Sequence, residues 1–388
     1  MNNYNPKELE KFVADIFFHS GSHQEESRIL GDHLVDSNLV GHDSHGVIRV
    51  SKYIEWLKQD KIKLNQSINI LKEEDHFLHI DGNFGYGQTI AKYSLDIAIN
   101  KAKEKGHCIL AMKNLGHIGR VGAWSELAAI NNCVSIMFVN TSGFGILVAP
   151  HGGTDRRLSA NPIAIGIPME NNDYLVLDMA TSVVAEGKIQ VAKNKKMKLA
   201  DGLILDGNGN PTNDPEVFYS TTGSILPFGG HKGFGLAFMI DILSGTLTGG
   251  NSSHPDNANS HAVINNTFAI IVNTSKTVSD SYFQNDVNRL INWVKASPKA
   301  KEVEEILLPG EIEKNTKKQR LSKGIPLDDQ TIKSLIDTAN FVGMKNIDDR
   351  LRILNKMNNT NMQFRVIDLN NGTTGTKVEI SIPYQSIS

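Results

Sequence analysis

A chain of 388 residues has room for two or three domains of roughly 150 residues and for a sizeable core. Hydrophobic residues make up 40% and charged residues 21%, and a formal net charge of −2 supplies no bulk field to draw nucleic acid or an acidic membrane. No apolar run approaches the roughly 18 residues needed to span a bilayer, and the start MNNYNPKELEKF lacks the basic-then-apolar layout of a secretory signal, so a cytoplasmic enzyme or binding protein is expected.

Residues 6–60 are helical in pattern, with Leu9, Phe12, Val13, Ile16 and Phe17 at helical spacing and Ile54, Trp56 and Leu57 continuing after an HDSHG loop. The alternation over residues 67–82 predicts two strands and a turn, and residues 88–105 a helix with Ile90, Leu95, Ile97 and Ala98 on its apolar side. Strand-like runs HCILAM, SIMFVN, AIGIP and YLVLDMA follow, separated by glycine-rich loops and a helix near residues 120–131. Residues 227–250 open with a glycine loop and become a helix over 236–247. VINNTFAIIVN then reads as a strand, and residues 280–296 and 326–341 as helices, the latter preceded by a charged stretch that itself ends in helix. Strands and helices mixed in this way predict an α/β sheet enzyme, and no internal repeat is evident. Residues 344–388 change character: a helix over 345–354, an Asn-rich link, and two strands, QFRVIDL and KVEISIP, joined by NNGTTGT. Cys108 and Cys133 fall in separate strand-like runs, so neither a disulfide framework nor a Cys-based zinc site is indicated.

Four clusters could carry chemistry. In GHDSHGVIR, Arg49 could grip a substrate carboxylate through its planar fork while His45 and Ser44 orient it. If the segment is helical, His45 and Arg49 share a face. The alternative is a polar cap with surface ion pairs, and a metal pair of His42 and His45 lacks an evident third ligand. In NLGHIGRVG, His117 follows a strand and precedes a helix, where a histidine can exchange a proton with an alkoxide or alcohol; it could equally be a capping or core histidine. The loop GNFGYGQT is not G-x-G-x-x-G, whereas FGGHKGFG with Lys232 could receive a pyrophosphate or simply open a helix. Asp178, at the end of YLVLDMA, could hold a ribose or orient a histidine, or act as an ordinary cap.

Taken in order, GHDSHGVIR, GHIGRVGAWSELAA, FVNTSG, VAPHGG, RRLSANPIAIGIP, VLDMATSVVAEGKI, LPFGGHKGFGLAFMIDILSG and EEILLPGE resemble the malate/L-lactate dehydrogenase family. That family also contains ureidoglycolate, sulfolactate and 2,3-diketogulonate dehydrogenases and cyclic-imine reductases. The resemblance spans residues 5 to about 343 and implies an α/β fold distinct from the Rossmann fold, a homodimer, and NAD or NADP as cofactor. It implies that His117 is the proton donor and acceptor and that Arg49, with His45, belongs to the substrate-holding loop. Ser142, Asp178, Met179, Ala180, Lys232 and the loop at Gly310 and Glu311 are implied cofactor contacts. The family often carries Asn-Ser-Asn before the histidine, where this chain has Asn114, Leu115 and Gly116.

The expected layout is a helical region over 1–66 carrying the substrate loop, a cofactor-binding and catalytic α/β domain over 67–325, and a returning helix over 326–343. Residues 344–388 form an appended unit that resembles the last helix and strands of a sensor histidine-kinase ATP-binding domain. The asparagine-bearing helix and ATP-lid sequence of such kinases are not in the chain, so no kinase activity is expected; a fusion or frameshift relic is the simplest account and a regulatory role the weaker one. The expected activity is hydride transfer between NAD(P) and the 2-carbon of a small 2-hydroxy or 2-oxo acid. Reduction of a cyclic imine carboxylate is the alternative, and an inactive binding or regulatory module a more distant one.

Overall fold

Residues 2–194, 196–257, 262–344, 363–368 and 376–381 are described by the computed structural model of the chain. They fall into two units, Met1–Glu55 with Glu313–Ser388, and Trp56–Ile312, dividing at 55/56 and 312/313 where the sequence suggests 66 and 325.

In the first unit the Asn5 side chain accepts hydrogen bonds from the amides of Lys7 and Glu8 and caps helix α1 (Pro6–His19), with Pro6 placed where a missing N–H costs nothing. Its buried face of Leu9, Phe12, Val13, Ile16 and Phe17 is the one the spacing predicts, and α1 packs on α2 (Gln24–Leu39). Leu30 and Leu34 of α2 are both 0% exposed, a burial that stabilises by about 1.5–3 kcal/mol per side chain. Strand β1 (Asn2–Tyr4) pairs antiparallel with β11 (Ile325–Leu327) ahead of helix α11 (Asp329–Phe341). The predicted helix over 326–341 therefore starts late: Pro326 sits in the short strand, and Asp328 caps α11 by accepting from the Thr331 amide at 2.9 Å. Strands β12 (Gln363–Asp368) and β13 (Thr376–Ser381) pair antiparallel, as the tail sequence suggests; the helix expected over 345–354 lies outside the described residues.

The second unit is built on a seven-stranded mixed sheet. Its strands are β2 (Asn69–Glu74), β3 (Phe77–Asp81), β4 (His107–Gly116), β5 (Cys133–Gly143), β6 (Ile163–Pro168), β7 (Tyr174–Met179) and β10 (Val263–Asn273), in the order 2-3-4-10-5-6-7. Only β3 and β4, joined through helix α4 (Gly87–Lys105), are parallel neighbours. Ile90, Leu95, Ala98 and Ile99 of α4, and Val121, Trp124 and Ala128 of helix α5 (Val121–Ala129), close the main core against the sheet. A smaller core gathers Val148, Ile189, Ile204, Phe218 and Ile225. It involves elements too short or too polar to read from the sequence: helices α6 (Glu186–Asn194) and α7 (Pro215–Ser220) and the pair β8 (Ile204–Leu205) and β9 (Pro211–Thr212). Helix α8 (His231–Ile240) starts five residues before the expected 236, because Gly233 and Gly235 are helical rather than loop, and it runs on as a π-helical turn, Asp241–Thr246.

The loop GNFGYG has a structural task. The Gly82 and Phe84 amides donate to the carbonyls of Lys113 and Asn114, and the Gly116 amide donates to Gly85, each at 2.8 Å. A β-carbon on Gly87 would come within 2.2 Å of the Gly116 carbonyl oxygen and 2.6 Å of that of His117. The first turn of α4 thus touches the backbone of the histidine turn, an approach that only glycine allows. Gly87→Ala is expected to destabilise by about 1–3 kcal/mol, the usual penalty for overpacking. An unchanged urea midpoint would refute that close approach.

Cys108 and Cys133 are both free and 0% exposed, and burial pushes each thiol from 9.0 up to about 11. Since both ionise later folded than unfolded, their contribution to stability is complete below pH 9 and is lost as the pH rises towards about 11. At pH 8 neither thiol should react readily with an aromatic disulfide until denaturant is added; fast labelling of the native protein would contradict this burial.

Candidate active site

His117 stands between β4 and α5, half-buried, and much of the structure around it serves to fix its backbone. Opposite β10, the end of β4 carries a bulge: Asn265 pairs with Leu115 and Thr267 with Met112, so Lys113 and Asn114 together face Asn266. Asn114 adopts φ +56° there, and its side-chain amide donates to both carboxylate oxygens of Asp81. Its own N–H, displaced from the ladder, donates to Asn266 Oδ1 at 2.9 Å. Beyond the histidine, the Ile118 N–H donates to Asn265 Oδ1 at 2.8 Å and the Ile118 carbonyl accepts from Trp124 Nε1.

Asp178, near the end of β7, accepts from the Gly122 amide at 2.8 Å. It thus caps the first turn of α5, the capping role that the sequence leaves open for it. Beside it Arg120, with 1% of its side chain exposed, makes a bidentate pair with Glu126 at 2.8 and 2.9 Å. Arg120 and Glu126 escape a sequence reading, although an arginine immediately before an apolar helix, with a glutamate six residues on, was the signal for them. Ser142 is buried at the end of β5, where its hydroxyl donates to the Gly250 carbonyl at 3.4 Å. Met179 pairs with Ile163 at the end of β7, and Ala180 follows it, half-buried.

A buried polar network, also missed in the sequence, lies behind these residues. Asn140 donates to Asp241 Oδ1 and to the Asn251 carbonyl, both at 3.0 Å; Asn266 donates to Asn140 Oδ1 at 3.0 Å and to the Gly250 carbonyl at 2.8 Å. Ser253 donates to both oxygens of the Asp241 carboxylate through its amide and hydroxyl. The two asparagines inside VINNTFAIIVN were the available clue, since asparagine is depleted from strands and a buried amide needs partners.

In the other unit, GHDSHGVIR is not the continuous helix that would place His45 and Arg49 on one face. It forms two separate 3-10 turns, Asp43–His45 and Val47–Arg49, broken at Gly46 with ψ −153°. The break follows from packing: a β-carbon on Gly46 would lie 2.1 Å from Asn38 Oδ1, the atom that accepts the Val47 amide. Hydrogen bonds gather the residues instead. Ser44 Oγ lies 3.0 Å from His45 Nδ1, and Arg49 Nε donates to the Ser44 carbonyl at 2.6 Å. Asp43 anchors the loop through Asn38 and through Arg320 of helix α10 (Glu311–Lys323). His42 is paired with Glu313 at 3.2 Å, and among the described residues no three His, Cys, Asp or Glu side chains gather as a metal site.

Lys232 is exposed in the first turn of α8. The glycine loop before it meets the PHGG loop, where the His151 ring lies edge-on to His231 at 6.0 Å and against Gly230. These two histidines also went unread in the sequence, although both stand in the quoted glycine motifs. Gly310, at φ +91°, packs on the β7 backbone at Val176. The Glu311 carboxylate is committed to the Leu308 amide and to Lys295, each at 2.7 Å, so it shapes that turn.

Breaking the buried Arg120–Glu126 pair should cost about 3–5 kcal/mol in Arg120→Leu, because Glu126 is left without its cation. The double variant with Glu126→Leu should cost less than the single one. A denaturant series in which the two losses simply add would contradict that coupling.

A family profile described as malate/L-lactate dehydrogenase matches residues 4–336. Hydroxycarboxylate dehydrogenase B of Escherichia coli (strain K12) is 37% identical over 345 residues, covering 88% of this chain and 94% of the relative. Among solved structures, sulfolactate dehydrogenase from Methanocaldococcus jannaschii superposes with a TM-score of 0.79 at 35% identity, covering 89% of this chain and 99% of that one. The Δ1-piperideine-2-carboxylate reductase from Pseudomonas syringae pv. tomato gives 0.76 at 25% identity, covering 87% and 100%. With a profile spanning most of its length and a relative this similar along nearly all of its own, the chain belongs to the malate/L-lactate dehydrogenase family.

Proposed function

We propose that the chain is a cytoplasmic, homodimeric dehydrogenase that uses NAD or NADP to interconvert a small 2-hydroxy acid of malate, lactate or sulfolactate type and its 2-oxo acid. The observation that carries this reading is His117: a half-buried imidazole in a strand-to-helix turn, its backbone held from two sides, in a chain of this family. In the reducing direction protonated His117 gives its proton to the 2-oxygen; in oxidation the neutral ring takes it back. Arg49 holds the substrate carboxylate. With Nε committed to the Ser44 carbonyl, its two terminal nitrogens present the fork, and Ser44 and His45 steady it.

A bound nicotinamide would supply or accept the hydride. Ser142, Asp178, Met179, Ala180, Lys232, Gly310 and Glu311 are the residues we assign to holding the cofactor. The fit is best at the start of α8, where the Lys232 ammonium is exposed, His151 and His231 are adjacent, and a β-carbon on Gly152 or Gly235 would meet nothing within 4 Å. An anionic pyrophosphate suits such a place, close to open backbone and a cation. At Asp178 and Glu311 the carboxylates already have structural partners, so their share is to shape the loops.

A second reading, reduction of a cyclic imine carboxylate, is favoured by the likeness to the piperideine carboxylate reductase and needs the same Arg49. The 344–388 segment lies beyond the matched span, and we assign it no ATP chemistry.

Nicotinamide absorbance with NADH or NADPH, a panel of 2-oxo acids and one cyclic imine tests both readings. Turnover of a 2-oxo acid is expected, with His117→Ala lowering the rate by on the order of 10²–10⁴. Arg49→Ala should weaken transition-state binding by roughly 2–5 kcal/mol. An Arg49→Ala enzyme with unchanged kcat/KM would sink the carboxylate assignment, and turnover of the imine alone would replace the first reading by the second.

A further inference from the structure

Two adjacent asparagines in the middle of a sheet are costly. They favour strands less than valine or isoleucine do, and a buried carboxamide must be fully hydrogen-bonded to be tolerated. Asn265 and Asn266 are 4% and 0% exposed in β10, the strand beside the end of β4. Successive strand residues point to opposite faces, so the pair reaches both sides of the sheet at one level.

Each carboxamide is used at both ends. Asn265 Oδ1 accepts the Ile118 amide, while its Nδ2 donates to the Asn140 carbonyl at 3.0 Å and to Thr141 Oγ1 at 3.1 Å. Asn266 Oδ1 accepts the Asn114 amide, while its Nδ2 donates to Asn140 Oδ1 and to the Gly250 carbonyl and lies 3.5 Å from Ser142 Oγ. The two amides so captured flank His117, three residues before it and one after, at the places where the bulge and the strand end remove ladder partners. A valine at either position would serve the sheet and release the turn.

We propose that Asn265 and Asn266 are positioning residues for His117. They clamp the backbone on both sides of the imidazole and tie it to the Asn140–Ser142 stretch of β5, so that proton exchange takes place from a fixed frame. The proposal rests on the reading of His117 as the proton-exchanging group. A carboxamide is required because a carboxylate would keep the acceptor but turn negative charge towards the Asn140 carbonyl, and a leucine of similar shape would keep neither end.

The test pairs kinetics with amide exchange on the full chain. Asn265→Leu should lower kcat per folded molecule by about 10- to 100-fold, the scale of a misplaced catalytic group, and shift the His117 limb of the pH profile. Its cofactor affinity, read by fluorescence titration, should be little changed. Asn265→Asp, which retains the acceptor for Ile118, should recover part of the lost kcat. A leucine variant with a lower melting temperature but parental kcat and pH profile would overturn the proposal, since the residue would then serve only the sheet. Should that variant not fold, hydrogen exchange of the parent protein decides: the clamp requires the Asn114 and Ile118 amides to exchange as slowly as the β10 ladder amides, and loop-like exchange at either contradicts it. Parent protein that turns over no acid or imine would remove the function assigned to His117, while slow exchange at both amides would still establish the clamp.

Discussion

When the end of β4 leaves the sheet, its amides lose their ladder partners, and a buried amide without a partner is among the more expensive features a fold can carry. The second unit is arranged around satisfying that short stretch. On one side the GNFGYG loop lays its own backbone against Lys113–Gly116, which forces glycine at the start of α4. On the other, β10 gives up two apolar positions to asparagine. Asp178 holds the first turn of α5 from β7, and Arg120 is locked against Glu126 within it. The half-buried histidine in this turn is held by hydrogen bonds to the backbone on both sides of it.

The Asp43–Arg49 loop of the other unit solves a similar problem differently. GHDSHGVIR is short and polar, with little apolar surface of its own to bury, and it is held by side chains that accept and donate along its backbone: Asn38 at Val47, Asp43 through Arg320, and Arg49 at Ser44. The Gly46 break permits this path, because any side chain there would displace Asn38. The loop therefore presents the Arg49 guanidinium from a fixed carbonyl rather than from a helix face.

Much of this could be read in the sequence, for identifiable reasons. The β-branched and aromatic residues of VINNTFAIIVN and the apolar face of α4 reveal a strand and a helix whose observed bounds lie close to the expected ones, whereas the helical pattern over 6–60 resolves into separate helices and turns. The start of α8 was misplaced because glycine ordinarily signals a loop, and the short elements of the smaller core carry too few residues for a period to show. His117, Arg49 and Lys232 stand out in the sequence as candidates because they sit in glycine-rich motifs, and the structure places them in a strand-to-helix turn, a 3-10 turn and the first turn of a helix. The residues that hold them do not stand out. The contributions of Asn265, Asn266 and Arg120 depend on partners distant in the chain or on burial, and a single sequence records neither.

A crystal structure of the protein with reduced cofactor and oxamate, an unreactive mimic of a 2-oxo acid, tests the central claim most directly. The account predicts a His117 ring nitrogen about 2.6–3.2 Å from the oxygen that mimics the 2-oxo group, with the Arg49 guanidinium on the carboxylate. A ligand whose oxygen is bound by another side chain, with the His117 ring turned away, would contradict it.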